Sequence, residues 1–390
     1  MDASSEKLLG LADASGESST LPKTSTPQHP SIPQTPASRL QAAADDRPLD
    51  AEALVHEDVS KLEAQTAAQE EKTVLYLAYG SNMGSATFRK TRGIVPISQV
   101  NVCVPDLMLT FDLPGLPYME PCFAATQYRD PGAEMPHKLV NNLEKGSLLG
   151  QIESVQEKKW RKPLVGIVYE VTLADYSRII ATEGAGSSYI DVTVDCYPFP
   201  VDYEPSQPVP DIPDTMAFKA HTLLSPTSNE DLRSMTQGSI IIGARPQPNN
   251  RRPRPHRIHS AQPSKRYINL LIKGAEEHCL PDEYREYLAS IPYYRITSLS
   301  QKVGKILFLL IWVPPVLALM SLTSALAQKN GHAPHWLQAC QRGAFSCMWW
   351  TYDNGFKPVF GNGERTVVED DDGNVRSGRV RAAKPRIELT

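Results

Sequence analysis

The sequence predicts an α+β protein with a mainly antiparallel or mixed sheet. Apolar runs rich in β-branched residues recur at Thr73–Gly80, 163–172 and 188–198, and each has the length and composition of a buried strand. Apolar residues at helical spacing occur at 173–184 and 267–291. Because these elements do not alternate in a regular βαβ order, the pattern does not favour a parallel doubly wound sheet.

The individual elements follow from local signals. The strand from Thr73 ends at a glycine, and residues 101–114 read as a strand with a proline break. The helix at 173–184 meets a glycine stop, so it should end near Glu183. Residues 217–225 predict another strand, and a Gly/Pro interruption divides 267–291 into two helices.

The 33 prolines indicate that part of the chain does not contribute to a core. Residues 1–72, with a Ser/Thr/Pro tract and a weakly helical charged stretch, predict a disordered arm or linker before a folded domain at 73–297. Two polar segments, 130–162 and 226–264, are predicted insertions, and residues 363–390 form a predicted disordered tail.

The charge pattern gives no support for nucleic-acid binding. The net charge is −4, and the basic proline-rich stretch at 245–257 has no interleaved aromatic residues for base stacking, so a solvated loop is favoured there. Six cysteines without a CxxC pair argue against a zinc site and a dense disulfide framework. The N-terminus lacks a secretory pattern, which indicates a cytoplasmic protein.

An apolar stretch marks the C-terminal extension predicted at 298–362. Residues 306–326 carry no charge and would span about 31 Å as a helix. Pro314 and Pro315 should kink or break that helix. Three interpretations stay open: a kinked transmembrane anchor, two half-helices in the membrane interface, or core helices of the extension.

The segment with the most specific chemistry is the strand end at Tyr79, Gly80, Ser81 and Asn82. A strand that turns sharply at Gly-Ser-Asn leaves successive backbone N–H groups available to bind a carboxylate or an oxyanion. On the residues alone, a structural turn with a capping Asn is the simpler interpretation.

A resemblance changes that balance. The string YLAYGSNM at 76–83 resembles the hallmark loop of the γ-glutamylcyclotransferase superfamily, and two further segments, 179–189 and 267–288, resemble later family segments in the same order. The resemblance implies a small, partly closed β-barrel flanked by helices. It also implies that Glu183 is the catalytic acid/base and that Tyr189 and Tyr267 lie near the substrate, with Tyr79–Asn82 as the cradle.

The implied reaction forms 5-oxoproline from a small γ-glutamyl substrate, when the α-amine of the substrate attacks its own γ-carbonyl. One carboxylate can take the ammonium proton and then deliver it to the leaving amine, so the resemblance implies no metal and no organic cofactor. Departures from the small family enzymes are the RIIAT segment before Glu183, the two insertions and the C-terminal extension.

These extensions are similar to the γ-glutamylcyclotransferase-like proteins of fungal clusters that make epidithiodiketopiperazine (gliotoxin-type) toxins. That resemblance implies glutathione or a glutathione adduct as substrate, and γ-glutamylamines or γ-glutamyl peptides are not separated from it. A rival from another class is an inactive scaffold of the same fold that residues 306–326 tether to a membrane. The sequence does not indicate an oligomeric state.

Overall fold

The computed structural model describes residues 32–47, 72–129, 160, 162–182, 190–224, 261–326, 334–366, 368–369 and 375–376. The strands are β1 Thr73–Ala78, β2 Ser98–Val104, β3 Leu107–Leu116, β4 Glu120–Tyr128, β5 Leu164–Thr172, β6 Ile190–Pro198, β7 Phe218–Leu224, β8 Val368–Glu369 and β9 Val375–Arg376. The α-helices are α1 Ala37–Ala42, α2 Leu173–Thr182, α3 Lys265–Glu277, α4 Asp282–Ser290, α5 Leu299–Leu326, α6 His335–Thr351 and α7 Lys357–Phe360. A 3₁₀ turn at Ser81–Met83 and π-helical segments at Ala86–Thr91 and Tyr352–Phe356 complete the set.

Five strands close into a barrel in the order β1-β5-β2-β6-β7. Neighbours are antiparallel except where β7 returns beside β1 and pairs with it in parallel at Tyr76 and His221. β5 is paired with a strand on either side, and eight of its nine residues are buried, which explains its continuous apolar run. The predicted α+β class and the small barrel are confirmed.

A separate hairpin, β3–β4, extends from the barrel. The prediction of one interrupted strand at 101–114 was wrong, because the chain turns at Pro105 and Asp106 and then continues as β3 in a different sheet. Proline cannot donate to a ladder, so the break ends one strand and begins another. At the tip of the hairpin, Tyr118 adopts a positive φ of 64°.

Two helices form the closing segment of the barrel domain, as predicted for 267–291. Ser264 caps α3 by accepting a hydrogen bond from the backbone N–H of Tyr267 at 3.0 Å. Pro281 precedes α4 and ends the interruption between the helices. The polar insertion at 130–162 lies outside the described residues except at its end, where Trp160 is buried against Tyr284 and Tyr287.

The C-terminal extension packs on the hairpin. Helix α5 runs unbroken for 28 residues through Pro314 and Pro315, so the predicted break and the two half-helices do not occur. The two prolines remove the donors to the carbonyls of Leu310 and Ile311, and these residues lie on the exposed side of the helix. Within the described residues, Leu299–Thr323 has the length and the mean hydropathy, 2.3, of a membrane span.

Residues 32–47 lie within the arm that was predicted to be disordered, but they pack on the barrel. The N–H of Thr35 donates to the carbonyl of Gln99 at 3.0 Å, and Arg39 forms an ion pair with Glu170 at 3.0 Å. Burial alone would raise the pKa of Glu170, but hydrogen bonds from Thr73 and Ser98 and the charge of Arg39 lower it. The arm is ordered here because it supplies partners to a buried carboxylate.

The prediction that the disordered tail begins at residue 363 was also wrong, because residues 363–366 are bonded to the rest of the protein. The N–H of Thr366 donates to Gln262 Oε1 at 2.8 Å, and the carbonyl of Gly363 accepts from the N–H of Tyr118 at 2.8 Å. These bonds connect the end of the extension to the start of α3 and to the hairpin tip. The basic loop at 245–257 lies outside the described residues.

Candidate active site

The loop that follows β1 forms one wall of a cavity of about 460 Å³. Gly80 precedes the 3₁₀ turn Ser81–Met83, which closes with a hydrogen bond from Met83 N–H to the Gly80 carbonyl at 3.1 Å. The first N–H groups of a helical turn find no acceptor within that turn. Gly80, Ser81 and Asn82 line the cavity, and binding of a carboxylate or an oxyanion by their N–H groups stays a prediction.

Buried side chains fix the loop from behind. The side-chain amide of Asn82 donates to the hydroxyl of Tyr76 at 2.9 Å. The hydroxyl of Tyr169 donates to the carbonyl of Met83 at 2.8 Å and lies 2.9 Å from His278 Nε2. Burial raises the pKa of Tyr169 well above its ordinary value, so the phenol stays neutral and remains a donor.

Tyr267 lies against the loop, and its predicted place near the substrate stays a prediction. Its hydroxyl accepts a hydrogen bond from the N–H of Ala124 at 3.1 Å, and a methyl group added to Gly80 would stand 3.4 Å from that hydroxyl. Gly274, two turns further along α3, lets the helix touch the loop, since a Cβ there would lie 2.9 Å from the backbone nitrogen of Gly84. Helix α3 therefore sets the position of both Tyr267 and the loop.

The cavity brings together most of the predicted site residues. Tyr79, Gly80, Ser81, Asn82 and Tyr267 all line it, together with Thr182 at the end of α2. Glu183 and Tyr189 lie outside the described residues. The remaining lining residues are Tyr76, Ala86, Thr87, Thr91, Arg92, Leu113, Pro114, Gly115, Leu116, Met119, Glu120, Phe123, Ala124, Thr222, Leu223, Arg266, Leu270, Val316, Met320 and Phe345.

Two arginines that the sequence analysis missed line the cavity. Arg92 is buried and donates a hydrogen bond to the hydroxyl of Thr182. Arg266 forms an ion pair with Glu120 at 3.0 Å between Nε and Oε1, and Ser264 donates to the same oxygen at 2.7 Å. Arg266 directly precedes Tyr267, the first residue of the segment that resembles the family, and this position was a signal in the sequence. Nothing in the local sequence singles out Arg92.

A buried hydrogen-bonded cluster of Tyr176, Asp191 and His221 connects α2, β6 and β7. The hydroxyl of Tyr176 donates to Asp191 at 2.6 Å, and His221 Nδ1 lies 3.0 Å from the same carboxylate. Burial, and then the charge of Asp191, raise the pKa of Tyr176 well above its ordinary value. The ring of Tyr176 lies 6.0 Å from that of Tyr76, which connects this group to the loop.

The described residues offer neither a metal centre nor an activated thiol at this cavity. Among them, no group of three or more His, Cys, Asp and Glu side chains is placed to hold a metal ion. Burial raises the pKa of the Cys103 thiol to about 12, and it raises the pKa of Cys196 well above its ordinary value. Such thiols remain protonated near neutral pH and are poor nucleophiles.

Solved structures with a related shape include a γ-glutamyl cyclotransferase and an uncharacterized protein from Homo sapiens. Their TM-scores are 0.33 and 0.34, at 16% and 17% identity, and the alignments cover 58% and 59% of this chain and 92% and 93% of theirs.

The sequence comparisons are more informative. The family model described as the AclK C-terminal domain matches residues 298–359. The γ-glutamyl cyclotransferase aclK of Aspergillus oryzae is 30% identical over 303 residues, which cover 75% of this chain and 91% of the relative. The γ-glutamyl cyclotransferase gliK of Aspergillus fumigatus is 29% identical over 292 residues, 75% of this chain and 89% of the relative. The chain therefore belongs to the γ-glutamyl cyclotransferase family.

Proposed function

We propose that this protein is a γ-glutamylcyclotransferase that releases 5-oxoproline from glutathione adducts in fungal secondary metabolism. One observation carries the proposal: the Tyr79–Asn82 loop and Tyr267, far apart in sequence, line a single cavity that also reaches Thr182. Glu183 follows Thr182 directly in the sequence. The names of the gliK and aclK relatives support the same reaction.

In the proposed mechanism, backbone donors at Gly80 and Ser81 hold the γ-glutamyl group. The carboxylate of Glu183 takes a proton from the substrate's α-ammonium, and the freed amine attacks the γ-carbonyl carbon to form the lactam C–N bond. The tetrahedral oxyanion is stabilised by N–H donors that are already in place. As the original amide C–N bond breaks, Glu183 returns this proton to the leaving nitrogen. The Glu183 carboxylate then takes the second proton from the cationic lactam nitrogen and passes it to the departing amine, so that no water is consumed.

The central test is 5-oxoproline release by the full chain from glutathione and from a glutathione S-conjugate. Glu183→Gln keeps the size of the side chain but removes the base, so we expect turnover to fall by about 10²–10⁴-fold with folding intact. Glu276→Gln, an exposed position on α3, is the matched control and should retain wild-type turnover. Equal activity in the wild type and Glu183→Gln would refute the role of Glu183.

The same measurement separates the enzyme from the rival scaffold interpretation. A folded wild-type protein that releases 5-oxoproline from neither substrate nor from γ-glutamylamines would favour a binding protein.

We also propose a cytoplasmic location in which the outer face of α5 contacts a membrane surface. The exposed apolar side chains Ile306, Leu310 and Ile311 on that face support this proposal.

A further inference from the structure

The barrel domain does not form the cavity by itself. Val316 and Met320 on α5 and Phe345 on α6 line it together with the loop residues. Val316 is 4% exposed, so it is a packed part of the wall. All three residues fall within the segment 298–359 that matches the AclK C-terminal domain.

Specific contacts hold this wall against the β3–β4 hairpin. Tyr118 at the hairpin tip packs in a buried cluster with Phe308, Met348, Trp349 and Tyr352. The Tyr118 hydroxyl also donates to the carbonyl of Gly361 at 2.8 Å. These contacts hold the C-terminal helices against the hairpin tip.

The hairpin supplies the neighbouring apolar surface. Leu113 and Leu116 on β3 and Met119 in the hairpin turn line the same cavity. These residues and the three from the C-terminal helices contain no charged or hydrogen-bonding side chain. This part of the cavity therefore suits an apolar group of substantial size.

The hairpin tip lies well away from the loop that is proposed to hold the γ-glutamyl group. Glu120 and Ala124 are on the same strand, four residues apart, and so are separated by roughly 13 Å. Ala124 is the residue whose N–H meets Tyr267 beside Gly80. With the γ-glutamyl group held at the loop, the hairpin end faces the portion of the substrate beyond the scissile amide.

Arg266 adds a charged group at that end. Its ion pair with Glu120 fixes the guanidinium at the hairpin end, and its side chain is 45% exposed. A guanidinium in this setting can bind a carboxylate through further N–H donors. The hairpin end therefore combines an apolar wall with an ion pair whose guanidinium has further N–H groups.

We propose that the C-terminal helices build a leaving-group subsite, in which Val316, Met320 and Phe345 accept an apolar substituent and Arg266 binds a carboxylate of the leaving amine. The inference rests on the proposed function. Its ligand class is a γ-glutamyl compound whose leaving amine carries a bulky apolar group, such as an S-aryl or S-alkyl cysteinylglycine. Selectivity for such adducts over small γ-glutamyl dipeptides thus depends on residues outside the barrel.

The test compares kcat/KM of the full chain for S-benzylglutathione and for γ-glutamylalanine. In Phe345→Ala, loss of the apolar contact should lower the ratio of the two values by about tenfold or more. Met320→Trp fills the subsite instead of emptying it and should lower the ratio as well, which keeps the test valid if Phe345→Ala does not fold. Leu310→Ala, on the exposed side of α5, should leave the ratio within about twofold.

Separate outcomes apply to the subsite and to the reaction. An active wild type whose ratio is unchanged in both cavity variants overturns the subsite and leaves the proposed function intact. If the wild type releases 5-oxoproline from neither compound, the proposed function fails, and calorimetric titration with S-benzylglutathione then decides the subsite. Binding by the wild type that is lost in Phe345→Ala supports the subsite, and absence of binding by the wild type overturns it.

Discussion

Side chains behind the candidate site hold the loop after β1 in one conformation. Asn82 bonds to Tyr76, and Tyr169 bonds to the Met83 carbonyl while its oxygen faces His278 Nε2. Since the Tyr169 hydroxyl donates to Met83, it accepts from a protonated Nε2 of a neutral His278. Burial lowers the pKa of His278 below its ordinary value of 6.5, against the charge of Glu277.

We expect His278 to make the loop after β1 sensitive to acid. With its folded-state pKa depressed, His278 adds stability above the unfolded value of 6.5, and that stability is lost as pH falls through the folded pKa. We expect the melting temperature of the wild type to decline more steeply from about pH 7.5 to about pH 5 than that of His278→Gln. Parallel curves in differential scanning calorimetry would show that His278 contributes nothing to the acid sensitivity.

At the scale of elements, the site depends on how closely helix α3 approaches the loop. The contact is made at Gly274, where a Cβ would stand 2.9 Å from both the Gly84 nitrogen and the Met83 Cβ. A backbone this close has no flexible end to move aside. The same helix carries Tyr267, so a shift of α3 would displace two walls of the cavity together.

Gly274→Ala should therefore be unfavourable although alanine is the better helix former. We expect overpacking to cost about 1–3 kcal/mol of unfolding free energy, accompanied by a higher KM as the loop is displaced. Gly343→Ala is the control, because that glycine lies in helix α6 with nothing within 4 Å of an added Cβ. It should gain about 0.5–1 kcal/mol. Urea unfolding of both variants measures the difference, and equal gains would contradict the close-contact interpretation.

At the scale of the whole molecule, α5 presents apolar residues on two faces. One face joins the cluster around Tyr118 and the cavity wall. The other exposes Ile306, Leu310 and Ile311, which are 60%, 68% and 54% exposed. Pro314 and Pro315 free carbonyls on this outer side, and free carbonyls are costly in hydrocarbon but tolerated among headgroups. Together these features favour contact with a membrane surface over a complete span.

Liposome flotation tests this surface. We expect the wild type to float with vesicles and Leu310→Asp to lose most of that binding, since a charge on the apolar contact face opposes insertion. Val201→Asp places the same charge at another fully exposed apolar position, between β6 and β7, and should float like the wild type. Vesicle binding that is the same in all three proteins, or absent in all, would rule out α5 as the contact.

The local sequence determined the strand before Gly80, the helix carrying Tyr267 and the α+β class, because periodicity and turn residues act over a few positions. The order of three spaced motifs determined the family. Glu183 and Tyr189 stay predictions, as they lie outside the described residues.

Only the tertiary structure decided what meets at the cavity. β4 was not predicted, and its Ala124 contacts Tyr267 across 143 residues. The arm at 32–47 is ordered by a carboxylate on β5, and Phe345 reaches a cavity that begins at Tyr76. Contacts of this kind depend on complementary surfaces brought together by folding, and no local propensity encodes them.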